Sequence, residues 1–252
     1  MKRVNKSLIF ISILIVFVLS LVGCTTNISE NTVNIENLNE VYELATDKAI
    51  QSSVIVYSGN SRGSGVVVSS DGYVLTNDHV VTTKSNVYIE ILDVNKNVKR
   101  LECEYVNEMY DGSNYEKMDL CLIKIKSNVD IRNVVLTPVT LGSRDSVTYG
   151  TPGIMIGNPK GLGFVVSQGM VSNPSIKMRH PEDCVSEFIM LDSPVNPGNS
   201  GGGFFNLKGE LIGIVTLRQY DDSSDNENVV FGIGYAINID DVKGYLARYG
   251  IK

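Results

Sequence analysis

The chain opens with an almost unbroken apolar run at residues 8–22, preceded by Lys2, Arg3 and Lys6. A polar stretch follows at residues 25–39, and residues 40–50 read as a short helix. From there the pattern changes to short β-branched runs broken by Gly, Asn and Asp. Ser53-Val54-Ile55-Val56-Tyr57 ends at Gly59-Asn60, and Ser70-Asp71-Gly72 joins two apolar runs, residues 65–68 and 73–76, as a hairpin. Further strands are expected at 87–92, 98–106 and 120–125, and a second series at 153–156, 164–171, 187–191, 210–216 and 229–237. Residues 240–249 read as a closing helix. Short strands at regular spacing with so little helix predict an all-β chain of barrels or sandwiches and exclude alternating βαβ architecture. A seam at residues 133–141 divides the body into two halves, 48–136 and 137–252, with no internal repeat.

Composition narrows the partners. The formal charge is −6, from 22 basic and 28 acidic residues, and it becomes −9 once residues 1–23 are set aside. A nucleic-acid binder needs a basic face, so nucleic acid is excluded as a partner. No metal or nucleotide motif is present, and no cofactor is expected.

The apolar run is about 15 residues long, short of the roughly 20 that a stable membrane span needs. It ends in Leu21-Val22-Gly23-Cys24, which resembles the lipobox of bacterial lipoproteins. That resemblance implies a signal peptide at 1–23, cleavage before Cys24 and acylation of its sulfur. Residues 24–47 then form a lipidated terminus, tether and short helix. The positive flank stays inside, so the body lies outside the cytoplasm, anchored to the membrane by lipid on Cys24. Cys103, Cys121 and Cys184 remain. Cys103 and Cys121 fall on neighbouring strand candidates, so they either bridge or stay buried as free thiols, and no spacing fits a zinc site.

Three short motifs carry chemistry. His79 follows the second strand of the hairpin in Thr76-Asn77-Asp78-His79-Val80, and histidine can take and return a proton near neutral pH. Asp119 immediately precedes an apolar strand and is placed to act as a buried acceptor for a histidine. Asn196-Pro197-Gly198-Asn199-Ser200-Gly201-Gly202 sets a hydroxyl among glycines, where a tight turn can present backbone N–H groups to an oxyanion. His180 sits in a loop with Arg179 and Pro181 and is expected to be solvated.

The order histidine, aspartate, serine, with separations of 40 and 81 residues, resembles the trypsin-like serine proteases. The closer resemblance is to the HtrA/Deg branch. It is carried by Gly63-Ser64-Gly65-Val66-Val67, Asp71-Gly72-Tyr73-Val74-Leu75-Thr76-Asn77, Ile156-Gly157-Asn158-Pro159, Ser167-Gln168-Gly169-Met170-Val171-Ser172 and Gly232-Ile233-Gly234-Tyr235-Ala236-Ile237. It implies two six-stranded antiparallel β-barrels with a short C-terminal helix. By position, Ser200 is the nucleophile, His79 its base and Asp119 the orienting carboxylate. The N–H groups of Gly198 and Ser200 form the oxyanion hole, and Pro194, Thr216, Leu217 and Gly234 surround the substrate pocket. The family also implies protein or peptide substrates, unfolded or damaged, and a homotrimer.

The chain departs from the family pattern in several places. Asn199 stands where trypsin-like zymogens place an aspartate that pairs with a freed amino terminus, so control is expected from loop order, with residues 176–186 foremost. Fifty-two residues follow Ser200, so the PDZ domain usual in the branch is not expected here. Gly203-Phe204 replaces the usual proline and leucine and is expected to loosen the backbone behind the serine. Pro194 at the pocket base offers no carboxylate, so cleavage after an uncharged residue is expected. The acidic run at 221–227 reads as a solvated loop. The sequence alone leaves open a catalytically silent lipoprotein that binds a partner, and a tethered sensor protease with one substrate.

Overall fold

The computed structural model describes residues 35–106, 118–179, 185–221 and 228–251. The chain divides into two units, 1–38 and 39–252. Of the first, only the opening of a helix lies among the described residues, so the expected signal peptide and Cys24 fall outside them.

Helix α1 (Ile35–Ser52) begins earlier than the sequence pattern predicts and takes up the end of the expected tether. Ala45 and Ala49, one helical turn apart, are buried against the body. No glycine ends this helix. Instead the hydroxyls of Ser52 and Ser53 both donate to the Ala49 carbonyl, at 3.1 and 2.8 Å, and the chain runs straight into the first strand.

Six strands follow: β1 (Ser53–Ser58), β2 (Ser61–Val67), β3 (Tyr73–Thr76), β4 (Val87–Leu92), β5 (Val98–Tyr105) and β6 (Cys121–Ile125). They close into an antiparallel barrel in the order β1-β2-β3-β6-β5-β4. A second barrel comprises β7 (Pro152–Gly157), β8 (Val165–Arg179), β9 (Val185–Asp192), β10 (Gly203–Asn206), β11 (Leu211–Asp221) and β12 (Asn228–Asn238). It closes as β10-β11-β12-β9-β8-β7. Helix α2 (Ile239–Ala247) ends the fold, with the Asn238 side chain capping the N–H groups of Asp240 and Asp241.

Where the barrels face each other, strands are buried on both sides, and alternate residues enter different cores. Val67, Ile123 and Ile125 fill the first barrel, and Met155, Phe204 and Val215 the second. Their neighbours Val66, Leu122, Ile156, Phe205 and Ile214 meet in a third core between the barrels. This explains why these strands read as continuous apolar runs, whereas β4, with one face outward, alternates strictly.

Two expectations change, for residues 176–186 and for Gly203, and the choice left open for Cys103 and Cys121 is settled. Residues 176–186 do not form a loop throughout: β8 and β9 pair from Ile176↔Phe188 to Arg179↔Val185, leaving 180–184, with His180 and Cys184, outside the described residues. Residues 222–227 of the acidic run lie outside them as well. Cys103 and Cys121 cannot bridge. Cys103 stands opposite Ile125 and Tyr105 opposite Ile123, so Cys121 is displaced four residues along the strand, about 13 Å at the usual rise. A disulfide needs Cα atoms within about 7 Å, so the two cysteines are not bridged, and both are buried. Gly203 is not loose backbone either. It pairs with Ile214 in β10, and the space a side chain would take is filled by the Phe205 ring, 2.4 Å from where a Cβ would stand.

Candidate active site

The register of β3 and β6 brings the first two residues together. Thr76 pairs with Cys121, so continuing three residues past Thr76 and backing two before Cys121 places His79 beside Asp119 at one barrel end. Asp119 accepts twice from His79: the backbone N–H reaches Oδ1 at 3.0 Å and Nδ1 reaches Oδ2 at 2.7 Å. A carboxylate only accepts, so Nδ1 carries the proton and Nε2 is left as the base. Asn77 Nδ2 holds the Asp119 carbonyl at 2.6 Å.

Asp119 is buried, while the His79 side chain is 49% exposed. Burial by itself opposes charge on the imidazole. The hydrogen bond and negative charge of Asp119, with Asp78 adding its charge, outweigh this and raise the His79 pKa. Burial likewise disfavours the Asp119 carboxylate, but the bonds from His79 and Thr216 hold its pKa below the ordinary value.

Two successive turns, 196–199 and 199–202, shape the nucleophile loop, and Ser200 is the second residue of the latter. In the first, the Asn199 N–H reaches the Asn196 carbonyl at 2.9 Å, with Pro197 second and Gly198, at φ +101°, third. That is a type II turn, which sequence chemistry favours for Pro-Gly. In the second, Gly202 N–H reaches the Asn199 carbonyl at 3.0 Å with Gly201 at φ +83°. Neither glycine tolerates a side chain, since a Cβ would stand 2.1 Å from the Asn158 carbonyl oxygen at Gly198 and 2.2 Å from Ser64 O at Gly201. The N–H groups of Gly198 and Ser200 donate to no acceptor among the described residues.

Thr216 on β11 joins the two barrels' contributions. Its hydroxyl donates to Asp119 Oδ2 at 2.5 Å, and its carbonyl accepts from Ser200 Oγ at 3.3 Å. The Ser200 hydroxyl is therefore directed at Thr216. Thr216 was expected in the substrate pocket, but its side chain is buried against the aspartate. The available signal was a lone hydroxyl at the end of the apolar run 211–215. Pro194 is exposed, and its carbonyl accepts from the side chains of Asn196 and Asn199, both at 3.2 Å. Leu217 pairs with Tyr235, and Gly234 with Leu191 and Arg218, at the β9–β12–β11 face. Ser64, which sequence reasoning did not single out, contacts the nucleophile turn from β2: its Oγ donates to the Gly198 carbonyl at 2.7 Å. Among the described residues no cluster of three or more His, Cys, Asp or Glu side chains is placed to hold a metal ion, and no helix is long and apolar enough to cross a membrane.

Residues 63–214 match the family described as trypsin-like peptidase domain. A probable periplasmic serine endoprotease, DegP-like, of Hahella chejuensis is 34% identical over 180 residues, 71% of this chain and 34% of that protein. Its counterpart in Ectopseudomonas mendocina is 36% identical over 154 residues, 61% of this chain and 29% of that protein. The chain thus spans about a third of the length of these curated relatives. Among solved structures, the HtrA-type protease AlgW with tripeptide is similar at a TM-score of 0.65 and 28% identity, covering 83% of this chain and 64% of that one. The Rv3671c protease in its inactive form, 22% identical with a TM-score of 0.64 over 82% of this chain and 92% of that one, shares the fold. With a domain match over more than half its length, this chain belongs to the trypsin-like peptidases, and HtrA-type proteases are among its relatives.

Proposed function

We propose that the protein is a serine endopeptidase that hydrolyses peptide bonds of exported, unfolded or damaged proteins through an acyl-enzyme. The observation that carries this reading is the doubly hydrogen-bonded His79–Asp119 pair beside a turn whose Gly198 and Ser200 N–H groups face no protein acceptor.

Asp119 fixes the tautomer that leaves His79 Nε2 as the base, and stabilises the imidazolium formed when Ser200 gives up its proton. The Ser200 hydroxyl must first leave the Thr216 carbonyl and turn towards His79. Its oxygen then attacks the substrate carbonyl, and the oxyanion settles on the N–H groups of Gly198 and Ser200. Each such donor lowers the barrier by about 3 kcal/mol. His79 returns the proton to the leaving amine, and water repeats the sequence to release the acyl group. No cofactor enters this scheme.

The lipobox-like Leu21-Val22-Gly23-Cys24 and the periplasmic naming of the DegP-like relatives support an extracytoplasmic protein, with a lipid on Cys24 tying it to the membrane. Labelled palmitate incorporated by the wild type and absent from Cys24→Ser tests that attachment.

The activity is tested by fluorophosphonate labelling of the full chain in detergent beside Ser200→Ala, each with and without casein. Labelling and casein cleavage that vanish in Ser200→Ala are expected. A folded protein that neither labels nor cleaves under either condition overturns the reading.

A further inference from the structure

We propose that Ser64 is a positioning residue for this reaction. Its hydroxyl, reaching across from the first barrel, keeps the nucleophile turn in the form that aims the Gly198 N–H at the oxyanion. The inference rests on the serine-protease reading above.

In a planar peptide the carbonyl and the following N–H point in opposite directions, so whatever holds a carbonyl also aims the next N–H. All four carbonyls from Pro197 to Ser200 are held. The Pro197 carbonyl accepts from Lys160 N–H at 2.8 Å, which turns the Gly198 N–H to the other side. The Asn199 carbonyl accepts from Gly202 N–H at 3.0 Å, which does the same for the Ser200 N–H. The Gly198 carbonyl accepts from Ser64 Oγ at 2.7 Å, and the Ser200 carbonyl from Ser64 N–H at 2.8 Å. Those last two aim the Asn199 and Gly201 N–H groups at the carbonyls of Asn196 and Val215. Only the Gly198 and Ser200 N–H groups are left over, and they are the pair the chemistry needs.

Every donor in this set is backbone except one, the Ser64 hydroxyl. It is 1% exposed and fully engaged, accepting the Asn158 N–H at 3.0 Å while it donates to Gly198. The Ser64 carbonyl is pinned in turn by the Thr76 hydroxyl at 2.7 Å. Without the hydroxyl, the Gly198 carbonyl keeps only the Asn158 N–H, at a longer 3.3 Å. A glycine so released can return to negative φ, and the turn relaxes from type II towards type I, rotating the Pro197–Gly198 peptide and its N–H away. Pro197 opposes that rotation because Pro-Gly favours type II, so the two devices flank Gly198, Pro197 acting on the peptide before it and Ser64 on the peptide after it.

The test is steady-state hydrolysis of a peptide amide by full-length Ser64→Ala and, separately, Pro197→Gly. It is paired with affinity for a peptide aldehyde, which forms an oxyanion on Ser200, and for the product acid, which does not. For Ser64→Ala we expect kcat to fall roughly tenfold to a hundredfold, part of what a missing oxyanion donor costs, with KM within about twofold. Aldehyde affinity falls by the same factor and product affinity stays unchanged, and Pro197→Gly shows the same split to a smaller degree. Unchanged kcat in a folded Ser64→Ala overturns the inference, as does equal loss of aldehyde and product affinity. Should Ser64→Ala fail to fold, Ser64→Cys, with similar volume and a weaker donor, must show the same split. An inactive wild type instead defeats the protease reading itself.

Discussion

Thr216 and Asp119, 97 residues apart and on different barrels, share a 2.5 Å hydrogen bond from the threonine hydroxyl to the carboxylate oxygen that also receives His79 Nδ1. The buried carboxylate thus takes donors from both barrels, and the histidine's orientation depends on their contact.

Thr216→Val removes that donor at nearly constant volume. A bond to a buried charge contributes about 1.5–3 kcal/mol, so urea denaturation at pH 7 should show a loss of that order. Asp119 has a depressed folded-state pKa, so the stability it confers is present above the ordinary carboxylate value and is lost as pH falls through its folded value. The difference between wild type and Thr216→Val should therefore shrink in acid. A constant difference across that range would place the effect elsewhere.

The acid limb of kcat/KM should have its midpoint above the ordinary histidine value of 6.5, because Asp119 raises the pKa of His79 and the base must be neutral. Asp119→Asn removes that influence and leaves burial opposed only by the charge of Asp78, so the midpoint should move downward, with kcat reduced on the order of 10³–10⁴. The sign for stability is opposite. A raised histidine pKa stabilises the fold below the unfolded value, and this contribution is lost as pH rises through the folded one. The catalytically competent neutral form is thus the one that has given up that contribution. A pH–rate profile of both proteins checks the first point, and denaturation at pH 5.5 and 8.5 the second.

Gly203→Ala should destabilise by about 1–3 kcal/mol, since the new methyl meets the Phe205 ring. Phe205→Leu in the same chain should recover much of the loss. A double-mutant cycle in guanidinium measures the coupling, and additive effects would show that the ring and the glycine are independent.

Cys103 and Cys121 should stay unreactive to a thiol reagent at pH 8 in the folded protein. Burial pushes the Cys103 thiol up to about 12 and Cys121 is 1% exposed. Both should react, without reductant, once guanidinium unfolds the chain. Failure to alkylate them would reveal a bridge that the strand register forbids.

Strands, hairpin turns and the order of His79, Asp119 and Ser200 are legible in the sequence because each is a local matter of apolar runs, Gly and Asn punctuation, and short motifs. Even the turn type before Ser200 is written locally, in Pro197-Gly198. The β8–β9 hairpin was harder to see. Pairing continues from Ile176 to Arg179 and back from Val185, beyond the apolar runs at 164–171 and 187–191 from which the two strands are read.

The sequence by itself determined the order of His79, Asp119 and Ser200 and roughly where each element lies. The tertiary structure alone decided that Ser64 reaches the Gly198 carbonyl 134 residues away, that Thr216 supports Asp119, that Phe205 covers Gly203, and that Cys103 and Cys121 stand apart. The reason is physical. A hydroxyl, a glycine or a thiol has no local preference that names its partner; the partner is selected by strand register and by the packing of one barrel face on the other, which involve the whole chain at once.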